Sequence, residues 1–142
     1  NRTASKLKWH FSKNTCLEDV KIFSYNKNKK LYGYIIIRRE FLKKINLNRY
    51  KIIDLFVKND NNQIINELIN YSFCYVKKNK GSVLEMLGFT NDIRKNFKKG
   101  IFFKRRLSNP PYHFKITNDD LVDLLNVESL WYPTPFDGDS SI

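Results

Sequence analysis

Two carboxylates stand alone inside apolar runs of this chain. Asp54 interrupts Ile52-Ile53-Asp54-Leu55-Phe56-Val57, and Glu85 interrupts Val83-Leu84-Glu85-Met86-Leu87. Desolvation raises the pKa of a carboxylate drawn into an apolar strand, a condition that clusters at functional sites. The plainer reading is a side chain turned to solvent or paired with a nearby Lys. Just past Asp54, Lys58-Asn59-Asp60-Asn61-Asn62 is wholly polar and leads into a helical pattern. The free N–H groups that open a helix attract anions and phosphates, and Lys58, Asn61, Asn62 and Gln63 supply charge and donors there. The plainer reading is one βα unit whose turn binds nothing. Tyr112 and His113 flank Pro110-Pro111 on a late hairpin, where a surface His is the ordinary outcome. His10 and His113 lack companions at metal-ligand spacing, and Asp137-Gly138-Asp139 lacks the remaining ligands of a calcium loop, so no metal is expected. Walker-type, H-E-x-x-H and G-x-S-x-G patterns are absent from the sequence.

The elements that position these residues follow from periodicity. Leu7, Trp9 and Phe11 suggest a short extended piece. Val20–Tyr25 alternates as a strand, Asn26–Lys30 is a charged turn, and Leu31–Phe41 reads as the return strand of a hairpin. Gly33 inside that strand suggests a bulge or a close backbone approach. Arg49–Val57 is a third strand. Ile64, Ile65, Leu68, Ile69, Phe73 and Val76 recur at helical spacing, with Asp60, Asn61 or Asn62 as cap. Ser82–Leu87 reads as a strand parallel to the third through a right-handed crossover. Thr90 or Asn91 caps a short basic helix to about Lys99, with Ile93 and Phe97 on one face, and Gly100 stops it. Ile101–Leu107 and Tyr112–Thr117 form a second hairpin. A last helix runs from about Asn118 to Leu130. The order β-β-β-α-β-α-β-β-α gives an α/β domain: a mixed, mostly antiparallel sheet with one parallel βαβ crossover, covered by helices.

At 142 residues the chain fits one domain. Its apolar and aromatic content excludes a disordered chain, and no apolar run reaches the length of a membrane helix. Cys16 and Cys74 are far apart, so both are expected to be reduced thiols in a cytoplasmic protein, Cys74 as a buried small hydrophobe. The net charge is +12 and uneven. Ten basic residues fall between Val76 and Arg106, whereas the stretch after Asn118 carries six acids and no Lys or Arg. Basic residues 77–106 are interleaved with Phe89, Phe97, Phe102 and Phe103, a pattern that suits base stacking but equally a strand and helix core.

Several stretches, taken in order, resemble the GNAT superfamily of N-acyltransferases from its second strand onward. Leu7-Lys8-Trp9-His10-Phe11 is similar to an L-x-W-x-Y opening in members linked to polysaccharide synthesis. Lys29–Glu40 (KKLYGYIIIRRE) resembles the strand after a charged hairpin, and Ile52–Val57 with its helix resembles the central strand and cofactor helix. Lys98–Arg106 (KKGIFFKRR) resembles the x-x-x-G-F step. Leu130–Ile142 (LWYPTPFDGDSSI) resembles a W-x-x-T-x-x-D-G-D ending. The family's first strand and first helices have no counterpart here, so the resemblance implies an N-terminal part before Asn1 or a completing protomer.

The resemblance implies an acyl-coenzyme A donor, acetyl-CoA or another acyl-CoA, lying where the central strand and the next parallel strand splay apart. The backbone of Leu55, Phe56 and Val57 would pair with its pantetheine arm. Its pyrophosphate would sit on the turn Lys58, Asn61, Asn62 and Gln63. The family's loop pattern is Q/R-x-x-G-x-G/A, and here Asp60, Gln63 and Ile65 fill its Arg and two Gly positions. An Asp repels pyrophosphate and an Ile blocks close approach. The acceptor implied is a small-molecule amine, such as an amino sugar, with Asp54 or Glu85 as the base. Asn96 occupies the position of the family's acidic tyrosine. Two further readings compete: a degenerate interaction domain that keeps the fold without the chemistry, and a nucleic-acid module on residues 77–106.

Overall fold

The computed structural model describes residues 19–96 and 122–127, together with Ser5 and Asp120. Its elements are β1 (Val20–Lys27), β2 (Lys30–Leu42), β3 (Leu47–Val57), α1 (Asn62–Lys78), β4 (Val83–Met86), α2 (Asn91–Lys95) and α3 (Val122–Leu125). One sheet holds the strands in the order β1-β2-β3-β4, antiparallel except for the parallel β3–β4 pair. The expected hairpin, third strand, crossover helix and parallel strand are therefore all present. The expected strands Ile101–Leu107 and Tyr112–Thr117, the residues around Leu7–Phe11 and Cys16 lie outside the described residues.

The hairpin closes at Asn28 and Lys29, both with positive φ (50° and 60°). That is the mirror-image turn whose twist matches the flanking strands. Gly33 makes the close approach expected of it. A Cβ there would lie 2.9 Å from the Phe56 carbonyl oxygen and 3.0 Å from Val57 Cγ2.

A β-bulge lies beside Gly33: Tyr25 pairs with Gly33 and Asn26 with Leu31, so Tyr32 is the extra residue of β2. A second bulge lies in β3. Ile36 pairs with Asp54 and Ile37 with Ile52, so Ile53 is the extra residue of β3. An extra residue resets the alternation of side chains. Before it, Tyr50 and Ile52 point to α1; after it, Leu55 and Val57 do. Ile53 and Ile36 form a second, smaller cluster on the opposite face with Val20 and Tyr34.

The α1 stripe packs Ile64, Ile65, Leu68, Ile69 and Val76 against Ile35, Ile37, Ile52, Leu55 and Val57. Each such side chain fully buried contributes about 1.5–3 kcal/mol. Two expectations on this helix are corrected. Cys74 is exposed, not buried, and Phe73 is 50% exposed. At about 100° per residue, the stripe centres near Ser72. Phe73 therefore falls beyond its edge and Cys74 on its back. Ser72 takes the inner position, its hydroxyl donating to the Leu68 carbonyl at 2.9 Å. Outside the stripe, Phe23 packs edge-on against Tyr71, with ring centroids 4.9 Å apart. No helix among the described residues is long and apolar enough to cross a membrane.

Candidate active site

β4 is the edge strand of the sheet among the described residues, and its pairing with β3 is short. β4 pairs with β3 from Arg49 beside Val83 to Ile52 beside Met86. β3 then runs on to Val57, still paired with β2 as far as Gly33. Past β4 the chain turns at Gly88 (φ 71°) and Phe89 (φ 62°). A bulky residue with positive φ is strained. Burial of the Phe89 ring, 3% exposed in the same core as Leu55 and Ile64, holds it there. Ile93 of α2 joins that core, as its helical position predicts. Phe89 is thus a core side chain and offers no face for stacking on a base.

Asp54 lies on β3 just beyond the last β3–β4 pair. Its residue is 0% exposed. The bulge places it on the face opposite α1, across from Ile36. Tyr34 Oη donates a hydrogen bond to Asp54 Oδ2 at 2.9 Å. The Tyr34 ring packs on Phe56, centroids 5.8 Å apart. A buried carboxylate held by a phenol, just past the last β3–β4 pair, is the kind of group that clusters at functional sites.

Glu85 has a different setting on the same face. It lies 3.2 Å from Arg49 Nη1, at ion-pair distance though without hydrogen-bond geometry. Arg49 also meets Glu40 at 2.6 Å, and Lys51 meets Glu40 at 2.9 Å. The Lys51 hydrogen bond holds the Glu40 carboxyl below its ordinary value of 4.5, against an upward push from burial. Asp54 and Glu85 therefore belong to separate constellations.

Between β3 and α1, the turn Lys58–Asp60 carries two left-handed residues, Asn59 (φ 57°) and Asp60 (φ 46°). Of the three candidate caps, Asn61 is the one used. Its Oδ1 accepts from the Gln63 N–H at 3.0 Å and the Ile64 N–H at 3.2 Å. The neighbouring side chains make bonds of their own. Gln63 Nε2 donates to Glu67 Oε1 at 3.1 Å, and Asn62 Oδ1 accepts from Asn96 Nδ2 at 3.0 Å. Lys58 Nζ lies 6.0 Å from the centroid of the Tyr32 ring. Ile65 is buried in the core and does not obstruct the turn as expected; the Asn61 carboxamide does so instead. A pyrophosphate at a helix start needs those N–H groups and little negative charge nearby. With Asn61 on the donors and an acidic residue, Asp60, directly ahead of it in the chain, the residues present do not fit a pyrophosphate there.

An open cleft of about 450 Å³ lies between α1 and α2, lined by Asn62, Asn66, Asp92, Lys95 and Asn96. Lys95 Nζ bonds Asp92 Oδ1 at 2.6 Å and lowers the pKa of that carboxyl. Leu55 and Val57 are buried toward α1, while Phe56 is 49% exposed on the other face. Tyr34 and the cleft residue Asn66 are not singled out by the sequence, whereas Asp92 and Lys95 figure there only within the basic segment. Only Tyr34 carried a signal: it follows Gly33, whose close approach brings β2 against the end of β3. Tyr112, His113 and the basic residues from Lys98 onward lie outside the described residues. No group of three metal-ligating side chains occurs among the described residues.

No protein-family model and no curated protein matches the chain. Solved structures do. A ribosomal-protein-alanine N-acetyltransferase from Brucella melitensis biovar Abortus 2308 aligns at 17% identity with a TM-score of 0.58. The alignment covers 80% of this chain and 83% of that one. An aminoglycoside acetyltransferase from an uncultured soil metagenomic sample, in complex with trehalose, aligns at 14% identity and a TM-score of 0.60, covering 81% and 76%. Its complex with sisomicin aligns equally well. At these identities the likeness establishes the fold: this chain has the acetyltransferase fold that its resemblance to the GNAT superfamily implied.

Proposed function

We propose that this domain transfers an acyl group from a thioester donor to the amine of a small molecule, with Asp54 as the base. The observation that carries this reading is the buried Asp54 carboxylate on the β3 bulge, just past the last β3–β4 pair. An amine acceptor arrives as an ammonium ion. Asp54 would take one of its protons, leaving a nitrogen lone pair to attack the acyl carbon; the thioester C–S bond then breaks, and the thiolate leaves as the thiol with the proton that the new amide nitrogen sheds. Tyr34 would hold the carboxylate in place during that exchange. Glu85 is the weaker candidate, because Arg49 already meets its charge.

The reactive part of the donor is its thioester, for which acetyl-CoA is the first probe. β3 beyond Ile52 offers Leu55 to Val57 as the strand along which an extended pantetheine arm would lie. An amino sugar is the acceptor class we favour, supported by the shared fold with an enzyme that carries aminoglycoside acetyltransferase in its name. The capped N–H groups at the start of α1 favour one alternative, a domain that keeps this fold for binding alone.

Thiol release from acetyl-CoA, and from an acetyl thioester lacking the nucleotide, measured with a panel of amino sugars, tests the reading. Transfer by the wild-type chain and a loss of about 100-fold or more in Asp54→Asn, at unchanged thermal midpoint, is the expected result. Absence of transfer with every donor and amine rejects it.

A further inference from the structure

We infer that Asn61 is a specificity residue that excludes the pyrophosphate of a coenzyme A donor from the start of α1. As a statement about donors this rests on the acyl-transfer reading; as a statement about the turn it is decided by binding alone.

Three observations carry it. First, the Asn61 carboxamide oxygen already accepts from the Gln63 and Ile64 N–H groups, which a phosphate oxygen would have to claim. A bound anion must therefore displace a formed cap before it gains a bond. Second, Asp60, the residue directly ahead of the cap, has left-handed backbone and adds a negative charge to the turn. That charge opposes a second one brought to the turn. Third, Asn62 is tied to Asn96 of α2 at 3.0 Å, so the flank of the first turn that faces the cleft is bridged rather than open. The compensating cation is sparse: Lys58 is the one Lys in the turn, and it lies near Tyr32.

The geometry thus selects donors by their thioester and pantetheine arm and gives no preference to the nucleotide end. An acyl-pantetheine thioester and an acyl-CoA with the same acyl group should be used alike.

The experiment uses the full chain as wild type and as Asn61→Gly. Glycine is tolerated at a helix N-cap, so the variant should keep its fold, and a thermal midpoint checks this. Calorimetric titration with coenzyme A and with inorganic pyrophosphate gives the affinities. The ratio of kcat/KM for acetyl-CoA to that for acetyl-pantetheine gives the donor preference. Expected are no measurable pyrophosphate binding by the wild type and a donor ratio within about threefold of unity. In Asn61→Gly, affinity for coenzyme A should rise about tenfold or more, from hydrogen bonds to a charged group. Micromolar binding of coenzyme A by the wild type that Asn61→Gly leaves unchanged or weakens would overturn the inference. So would a preference for acetyl-CoA of about 100-fold. Should neither Asn61→Gly nor Asp60→Gly/Asn61→Gly gain affinity, exclusion does not reside in this turn and the inference fails. Absence of transfer from both donors would sink the acyl-transfer reading, while the titrations still decide this one.

Discussion

Asp54 and Glu85 stand on adjacent strands and face the same side of the sheet, yet their surroundings differ in kind. Glu85 belongs to a row of alternating charges, Lys51, Glu40, Arg49 and Glu85, in which each carboxylate has a cation within ion-pair distance. The row sits where β2, β3 and β4 are all paired. Asp54 lies past the end of that pairing, wholly buried, with a phenol for its hydrogen-bond donor. The first arrangement neutralises charge within the protein and has little left to offer a ligand. The second keeps a carboxylate in a poorly solvated position with a polarisable partner. The difference comes from one inserted residue: without the bulge at Ile53, Asp54 would point into the core under α1.

The contrast can be broken or sharpened experimentally. The largest effect is expected from Asp54→Asn, which should cost about 100-fold or more in kcat/KM, whereas Glu85→Gln should cost less than about tenfold. Steady-state kinetics on both variants checks this, and the reverse order would exchange their roles. Next comes Gly33→Ala. The added methyl meets the Phe56 carbonyl and Val57 at about van der Waals limits or closer. It should push β2 from β3, destabilise the fold by about 1–3 kcal/mol in urea unfolding, and lower activity through a displaced Tyr34. Arg49→Ala removes the cation between Glu40 and Glu85. Its cost should be about 1 kcal/mol or less, since these side chains are about a quarter exposed or more and water screens them; activity with acetyl-pantetheine should persist. The smallest effect is a matter of pH. The folded Glu40 carboxyl titrates below 4.5, so its contribution is present above that value and is lost as pH falls through the depressed folded pKa. Thermal midpoints between about pH 5 and pH 3 should therefore fall less steeply for Glu40→Gln than for wild type.

Much of this framework is legible in the sequence. Alternation in Val20–Tyr25, the Asn28-Lys29 turn and the apolar run of β3 are local signals, and local signals were enough for the hairpin and the crossover. The stripe of α1 was read correctly at Ile64, Ile65, Leu68, Ile69 and Val76. It failed at Phe73, where hydrophobicity alone does not reveal that the stripe has already turned toward Ser72. The cap was one of three adjacent polar residues of similar propensity, and only backbone angles separate them. The site was less legible because its partners are distant in sequence. Tyr34 reaches Asp54 across twenty positions, through a bulge that no composition announces. Arg49 finds Glu85 only once the parallel strand has returned beside β3.

The short parallel pairing between β3 and β4 has a kinetic consequence. β1, β2 and β3 are joined by tight turns and pair over most of their length, so they can form from local encounters. β4 can dock only after α1 has formed and crossed over, and it is then held from Val83 to Met86 alone. Amide protons of β4 should therefore exchange with solvent sooner than those of β2 and β3. The edge strand that carries Glu85 is thus the part of the described sheet expected to open most readily, leaving the hairpin and β3 in place.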